Sequence, residues 1–138
     1  MKIRNITLKD KKEVMKLIKE LYEKNNPKGV SNWNKNYKKF ISDTFLMEDK
    51  KKVVGYVSID IRENSIYIAD LYIIPKYRKK GIATKFVKHI QNLRKKLNKR
   101  YLRVDVRRKD KPAVKLYKKL GFIILESKNI NKSWRLIK

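Results

Sequence analysis

The segment from Ala69 to Ala83 constrains the fold of this chain more than any other part of its sequence. An apolar run that ends at Pro75 has the composition of a strand, a basic turn follows over residues 76–80, and Gly81 begins a stretch with helical apolar spacing. A strand that leads through a glycine-containing turn into a helix gathers unpaired backbone N–H groups at one point. The segment therefore predicts an anion-binding turn in a chain that alternates strands and helices.

Apolar periodicity predicts the remaining elements. Asp10 is predicted to cap the first helix, with Glu13 completing a capping box, and residues 25–29 are predicted to break the chain before the second helix. Asp110 is predicted to cap the last helix and Gly121 to end it. Strands are predicted over 2–7, 44–48, 53–61, 65–74, 101–107, 122–125 and 133–137, and helices over 10–22, 33–41, 81–97 and 110–120. The order is β-α-α-β-β-β-α-β-α-β-β, and 138 residues suit one α/β domain, 1–138.

The chain is a strongly basic protein, with a formal net charge of +26. Such a charge predicts attraction to polyanions or to a phosphate-rich ligand, although the amino-acid bias of an AT-rich genome, which favours lysine, is an equally good explanation of the total. The distribution carries more information, because no acidic residue occurs between Asp70 and Asp105. That interval contains the proposed anion-binding turn and its helix.

Several classes of protein are disfavoured by composition. The chain has no cysteine and one histidine, which excludes disulfides and makes a histidine-rich metal site a poor explanation. No apolar run approaches the roughly 20 residues of a membrane span, and the first residues lack the apolar core of a signal peptide. We therefore expect a cytoplasmic protein that needs no metal.

Two motifs resemble those of the GNAT superfamily of acyl-CoA N-acetyltransferases. The first is Arg78-x-x-Gly81-x-Ala83, and the second is Asp110-x-x-Ala113-x-x-Leu116-Tyr117-x-x-Leu120-Gly121-Phe122. They occur in the family's order, and the predicted elements match its arrangement over essentially the whole chain. The strand 68–75 is similar to that of polyamine-type members. The resemblance implies a single-domain fold with a mixed central sheet flanked by helices, and acetyl-CoA as the acyl donor.

The resemblance also implies a cofactor site. Backbone N–H groups of the turn bind the phosphates with charge from the basic side chains, and backbone groups of the preceding strand pair with the pantetheine arm. Asp110 stands where the family often has asparagine, which weakens the expectation of a cofactor contact there. The cofactor-binding residues implied are Leu71, Tyr72, Ile73, Arg78, Lys79, Lys80, Gly81, Ile82, Ala83, Thr84, Asp110 and Ala113.

The catalytic residues implied are Tyr117 and Asp70. Tyr117 occupies the family's general-acid position, and a phenol of ordinary pKa about 10 can donate toward a thiolate of ordinary pKa about 8.5. Polyamine-type members carry a glutamate base where this chain has Ala69. Asp70 is therefore predicted either as the base or as a structural partner of the basic turn. Asp105 and a relayed water are the other candidates for the base.

Two functions remain in competition. The first is transfer of an acetyl group from acetyl-CoA to a primary amine, of a small molecule, protein or peptide, by direct attack on the thioester. The second is a basic nucleic-acid-associated protein, or a catalytically idle CoA binder, on the same fold. Its phosphate contacts would come from the basic runs Arg94–Arg100 and Arg107–Arg108. Exposed final strands of this fold also allow pairing into a homodimer.

Overall fold

The computed structural model describes residues 1–22, 26–107, 109–125 and 133–137. Its elements follow the order predicted from the sequence, with short 3-10 turns between some of them. The strands are β1 (Lys2–Asn5), β2 (Thr44–Asp49), β3 (Lys52–Ile61), β4 (Ser65–Ile73), β5 (Tyr101–Arg107), β6 (Ile123–Leu125) and β7 (Ser133–Ile137). The helices are α1 (Lys11–Tyr22), α2 (Pro27–Phe40), α3 (Ile82–Lys96) and α4 (Lys111–Lys119). Among the described helices, none has the length and apolar character to cross a membrane.

The chain forms two compact units, and the elements β3, β4 and α3 each have some residues in one unit and some in the other. The first unit comprises Met1–Ile59 and Asp70–Phe86, with strand neighbours in the order β1-β2-β3-β4 and antiparallel pairing of β2 with both β1 and β3. The second comprises Asp60–Ala69 and Val87–Lys138, with the order β4-β5-β7-β6. There β4 and β5 pair in parallel, while β7 is antiparallel to β5 and β6. The mixed sheet with accompanying helices is confirmed.

The core of the first unit is built on the apolar stripe of α1. Val14, Leu17 and Ile18 recur at the three- and four-residue spacing of one helix face and are almost fully buried. Tyr37 of α2 and Tyr56 of β3 belong to the same cluster. Burial of each such aliphatic side chain contributes roughly 1.5–3 kcal/mol, so this face fixes how α1 and α2 pack against the strands of the unit.

Helix α1 begins within one residue of the prediction, but the predicted capping box of Asp10 and Glu13 is not formed. The chain enters the helix through a 3-10 turn, Leu8–Asp10, and the carboxylate of Asp10 accepts the backbone N–H of Thr7 at 2.8 Å. The same carboxylate accepts both terminal nitrogens of Arg4, at 2.8 and 2.9 Å. Glu13 instead accepts the backbone N–H of Val53 at 3.4 Å. Asp10 therefore ties β1 to the 3-10 turn that follows it, because the guanidinium of Arg4 donates two hydrogen bonds to its carboxylate.

The second helix also begins earlier than predicted. Asn26 caps α2 by accepting the backbone N–H of Gly29 at 3.0 Å, and Pro27 occupies the first turn. Residues 26–29, which were predicted as part of a break, are thus the start of the helix. Asparagine followed by proline is both a turn signal and a helix-start signal, and here the second meaning applies.

Candidate active site

The turn between β4 and α3 adopts two left-handed backbone conformations. Lys79 has φ of +63° and Gly81 has φ of +81°, directly after the 3-10 turn Pro75–Tyr77. A Cβ atom built on Gly81 would meet nothing within 4 Å. Glycine is therefore required here by backbone conformation, and the space beside it is open. An external group can approach the backbone at this point.

The N-terminus of α3 opens at the same turn. Lys85 donates its backbone N–H to the carbonyl of Gly81 at 3.1 Å, so the N–H groups of residues 82–84 precede the first intrahelical bond. The first turn of α3 contains no acidic residue, and the side chains of Lys79 and Lys80 are exposed. Helix N–H groups and ammonium groups together favour an anion.

Arg78 is held along the end of β4. Its Nε donates to the carbonyl of Ile73 at 2.8 Å, and its guanidinium lies 5.4 Å from the ring centre of Tyr72. The neighbouring Tyr77 donates its hydroxyl to Asp49 at 2.9 Å, which ties the turn to the end of β2. The positive charge of the predicted phosphate-binding turn is therefore fixed on a rigid strand end.

The end of β4 presents two different backbone edges. Ile74 donates its N–H to the carbonyl of Val54 at 3.0 Å, so this edge is paired with β3. Because neighbouring residues of a strand turn their backbone groups to opposite edges, Leu71 and Ile73 face away from β3. The parallel register between β4 and β5 covers Ser65–Ile68 and Tyr101–Val104, and Leu71 and Ile73 lie beyond it. Their predicted pairing with a pantetheine arm stays a prediction, and the Ile73 carbonyl already accepts Arg78.

Asp70 lies on β4 among aromatic donors from three other elements. Its Oδ1 accepts the hydroxyl of Tyr22 at 2.5 Å, and its Oδ2 accepts Trp33 Nε1 at 3.0 Å and the hydroxyl of Tyr56 at 3.2 Å. Burial, together with the Asp70 charge, raises the pKa of Tyr22 and of Tyr56 above the ordinary tyrosine value. One sequence-based alternative made Asp70 a partner of the basic turn. The hydrogen-bond donors to Asp70 are instead these three aromatic side chains.

Tyr117 is positioned by a capped helix in the second unit. Asp110 accepts the backbone N–H of Ala113 at 3.1 Å, which confirms the predicted N-cap. Gly121 has φ of +93° and donates to the carbonyl of Lys118, while Phe122 donates to that of Tyr117, both at 3.0 Å. This pair of bonds is a Schellman motif, so Gly121 ends the helix as predicted. The rings of Tyr117 and Phe122 meet edge-on, with centres 5.2 Å apart.

The side chain of Tyr117 is only 6% exposed. Burial, reinforced by the negative charge of Asp110, raises the pKa of Tyr117 to about 12. Asp105, the other carboxylate considered as a base, accepts the hydroxyl of Tyr67 at 2.8 Å. The first unit thus contains the turn and Asp70, and the second contains Asp105 and the capped helix with Tyr117.

Two cations of the basic run 94–100 donate hydrogen bonds within the protein. Arg94 donates from Nε to Gln91 at 2.6 Å and from a terminal nitrogen to the carbonyl of Lys99 at 2.9 Å. Lys99 donates its ammonium to the carbonyl of Glu63 at 3.0 Å. These cations stabilise the turn after α3, which reduces the number of charges in this run that are left for phosphate contacts. Arg108, from the second predicted basic pair, lies outside the described residues.

A cavity of about 450 Å³ lies in the first unit beside α1. Leu17, Val53, Ile74 and Pro75 line it together with charged groups at its rim, namely Glu13, Lys16, Glu20, Lys52 and Lys76. It contains none of the residues that were predicted for the site. Sequence reasoning gave no signal for it, because its walls come from three separate segments.

Comparisons with known proteins agree on the kind of protein this chain resembles. Residues 11–122 match the profile described as the Acetyltransferase (GNAT) family. An uncharacterized N-acetyltransferase of Methanocaldococcus jannaschii is 29% identical over 102 residues, covering 68% of this chain and 44% of the relative. The chain thus spans less than half the length of that curated relative.

Solved structures share the fold across the whole chain. The PaiA N-acetyltransferase of Thermoplasma acidophilum, in complex with coenzyme A, has a TM-score of 0.81 at 18% identity, covering 99% of this chain and 97% of that one. Naa50 of Arabidopsis thaliana, in complex with the bisubstrate analogue CoA-Ac-MVNAL, has a TM-score of 0.78 at 22% identity, covering 99% and 97%. At these identities the likeness shows the fold.

Proposed function

This chain belongs to the GNAT family of acetyltransferases, and we propose that it transfers an acetyl group from acetyl-CoA to a primary amine. The observation that carries the proposal is the turn at Gly81. It combines an open backbone position, the N–H groups at the start of α3 and basic side chains at one point. That chemistry suits the phosphates of coenzyme A.

The residues present fit the proposed donor. Backbone N–H groups of residues 82–84 and the side chains of Arg78, Lys79 and Lys80 would hold the phosphates, and the outward edge of Leu71 and Ile73 would lie along the pantetheine arm. Acetyl-CoA supplies an acyl thioester that an amine can attack directly. The two solved relatives described above bind coenzyme A or an analogue that contains it, which supports extending the same donor to this chain.

Tyr117 is proposed as the group that assists the departing sulfur. With a pKa of about 12, its phenol holds its proton about 3.5 units more tightly than an ordinary thiol. Complete proton transfer to the thiolate would then be uphill by about 5 kcal/mol. We therefore assign to its Oη a hydrogen bond to the developing thiolate, with the proton remaining mainly on the phenol.

The acceptor class is proposed as a primary amine, and the finer choice is left to experiment. The panel of amines to be tested contains small antibiotic amines, polyamines and peptide α-amines. Polyamines are included because of the resemblance to polyamine-type members, and peptide α-amines because of the peptide moiety of the Naa50 analogue. The chain has few acidic residues with which to bind a polycation, with 13 Asp and Glu against 39 Lys and Arg. A weakly charged amine therefore fits it better than a long polycation.

Calorimetric titration of acetyl-CoA at about 0.15 M salt tests the donor, with desulfo-CoA and ATP as comparisons. We expect acetyl-CoA to bind at least tenfold more tightly than ATP. Acetyl transfer is then followed by thiol release across the amine panel, with Tyr117→Phe as the catalytic control. Equal, weak, salt-sensitive binding of ATP and acetyl-CoA would contradict the proposal and would favour the alternative, a basic protein that associates with nucleic acid through charge alone.

A further inference from the structure

We propose that Asp70 is a positioning residue that sets which amines are acetylated, and that it is not the general base. The inference rests on the proposed function, because it concerns the amine acceptor of that reaction. It follows from the hydrogen bonds of Asp70, from the burial of two of their donors and from the place of Asp70 on β4. Each of these lies within the first unit.

The carboxylate of Asp70 is largely occupied. An ionised carboxylate offers about four acceptor positions, and Tyr22, Trp33 and Tyr56 take three of them. A general base must come within about 2.6–3.2 Å of the proton that it removes, along a lone pair that is available. Both oxygens already lie at such distances from aromatic donors. The one acceptor position that is left lies on Oδ1, which already accepts Tyr22, and this makes Asp70 a poor base.

Two of the three donors, Trp33 and Tyr56, are packed in the core. Tyr56 is fully buried and Trp33 is 5% exposed, so neither can turn to water for another partner. Their rings meet edge-on with centres 5.9 Å apart, and Trp33 packs against Phe40 at 4.6 Å. A buried N–H or O–H that loses its acceptor stays unpaired, which favours retention of the bonds from Trp33 and Tyr56 to Asp70. The carboxylate thus joins α1, α2 and β3 to β4.

The direction of β4 places this cluster near the reacting end of the donor. If the phosphates bind at Gly81 and the pantetheine arm follows Ile73 and Leu71, the acyl end points back along β4 toward Asp70. On α1, the side chain that contacts Asp70 is Tyr22, in the last turn of that helix. The amine must reach the same end. Of the three donors to Asp70, Tyr22 is the one that is only partly buried, so its ring, held by Asp70, is the surface that selects the amine.

The proton of the attacking amine then goes elsewhere. Water is one acceptor, and Asp105 remains the other carboxylate considered from the sequence. Neither requires Asp70 to break its bonds. On this basis Asp70 affects the binding of the amine and leaves the pH dependence of turnover unchanged.

Two variants give opposite results under the two roles. Tyr22→Phe keeps the ring and removes the donor to Oδ1. If Asp70 positions the ring of Tyr22, this change raises the KM for the amine about three- to tenfold, leaves kcat within about twofold and alters the order of preferred amines. If Asp70 is the base, the same change frees a lone pair, so kcat is maintained or rises and the KM is unaffected.

Asp70→Asn supplies the second comparison. The positioning role predicts a raised KM with the pH profile of kcat retained. A base predicts a fall in kcat of roughly 100-fold or more together with loss of the acidic limb of the profile, which would overturn the inference. Tyr37→Phe is the matched control, because it removes a buried phenol that donates to the carbonyl of Thr7 at 2.7 Å, with no bond to Asp70. It is expected to leave the KM for the amine unchanged.

The variants are compared after acetyl-CoA binding has been measured by calorimetry for each protein. Unchanged donor affinity shows that the fold and the donor site are intact. A wild-type protein that binds acetyl-CoA but acetylates no amine would overturn the proposed function and this inference together. An active wild type with unaltered KM in Tyr22→Phe would overturn this inference alone.

Discussion

The guanidinium of Arg78 donates from Nε to the backbone carbonyl of Ile73 at 2.8 Å. This bond fixes the positive charge of the turn against the strand edge that is proposed to carry the donor. A lysine at this position would keep the charge but could not reproduce the planar donor geometry. The orientation of the charge, and not only its presence, is therefore a property of this site.

Replacement of Arg78 by glutamine is expected to weaken acetyl-CoA binding about tenfold, equivalent to about 1.4 kcal/mol, because both the charge and the fixed geometry are lost. Arg62→Gln is the matched control, since Arg62 forms an exposed pair with Asp60 at 3.0 Å. It removes the same charge at a site with no proposed ligand. Calorimetry on both variants measures the difference. Equal losses would show that net charge alone attracts the donor.

Replacement of Gly81 by alanine is expected to lower both stability and donor affinity. The backbone φ of +81° costs an alanine roughly 1 kcal/mol, and its methyl group would occupy the open space beside the turn. Gly81→Asn separates the two effects, because asparagine tolerates this conformation better but is larger. We expect the asparagine variant to unfold at higher urea concentration than the alanine variant and yet to bind acetyl-CoA no better. Recovery of binding together with stability would show that the open space is not used.

Alkaline pH is expected to destabilise the protein through Tyr117. Its pKa is about 12 in the folded chain and about 10 when unfolded, so the neutral phenol is favoured by folding. This contribution is fully present below pH 10 and is lost as pH rises through about 12. By pH 11 the loss amounts to about 1.4 kcal/mol. Urea unfolding of the wild type and of Tyr117→Phe at pH 9 and 11 checks it, since the phenylalanine variant lacks this part of the decline.

Acidic pH is expected to act through Asp10. The two bonds from Arg4 hold the pKa of the Asp10 carboxyl below its ordinary value. The resulting stability is present above the unfolded pKa of about 4 and is lost as pH falls through the folded value. Arg4→Lys removes the bidentate geometry and is expected to cost about 1–2 kcal/mol near pH 7, with a shallower decline in acid. Denaturant unfolding from pH 3 to 7 measures both, and an acid decline identical to that of the wild type would rule this pair out as its cause.

Local signals explain why much of the fold was predictable. The N-cap at Asp110 and the helix stop at Gly121 each depend on residues only a few positions away, and both were predicted correctly. The turn at Gly81 likewise follows from one glycine after a strand and before a helix. The capping box of α1 was predicted wrongly, since Glu13 accepts the backbone N–H of Val53, on a strand that a local pattern does not connect to it.

Long-range contacts explain what was missed at the candidate site. Asp70 was recognised as chemically significant, but its donors lie 14, 37 and 48 residues away along the chain. No periodicity identifies which aromatic side chains will meet a given carboxylate. The cavity beside α1 was missed for the same reason, because its lining joins one helix to the ends of two strands.

The sequence by itself determined the order of the strands and helices, the glycine turn between β4 and α3 and the position of Tyr117 on α4, because these depend on spacing and on short-range backbone rules. Only the tertiary structure decided that Asp70 is occupied by three aromatic donors and that burial brings the pKa of Tyr117 to about 12. Hydrogen-bond occupancy and desolvation are set by neighbours that folding brings together from distant parts of the chain, so they have no local sequence signature.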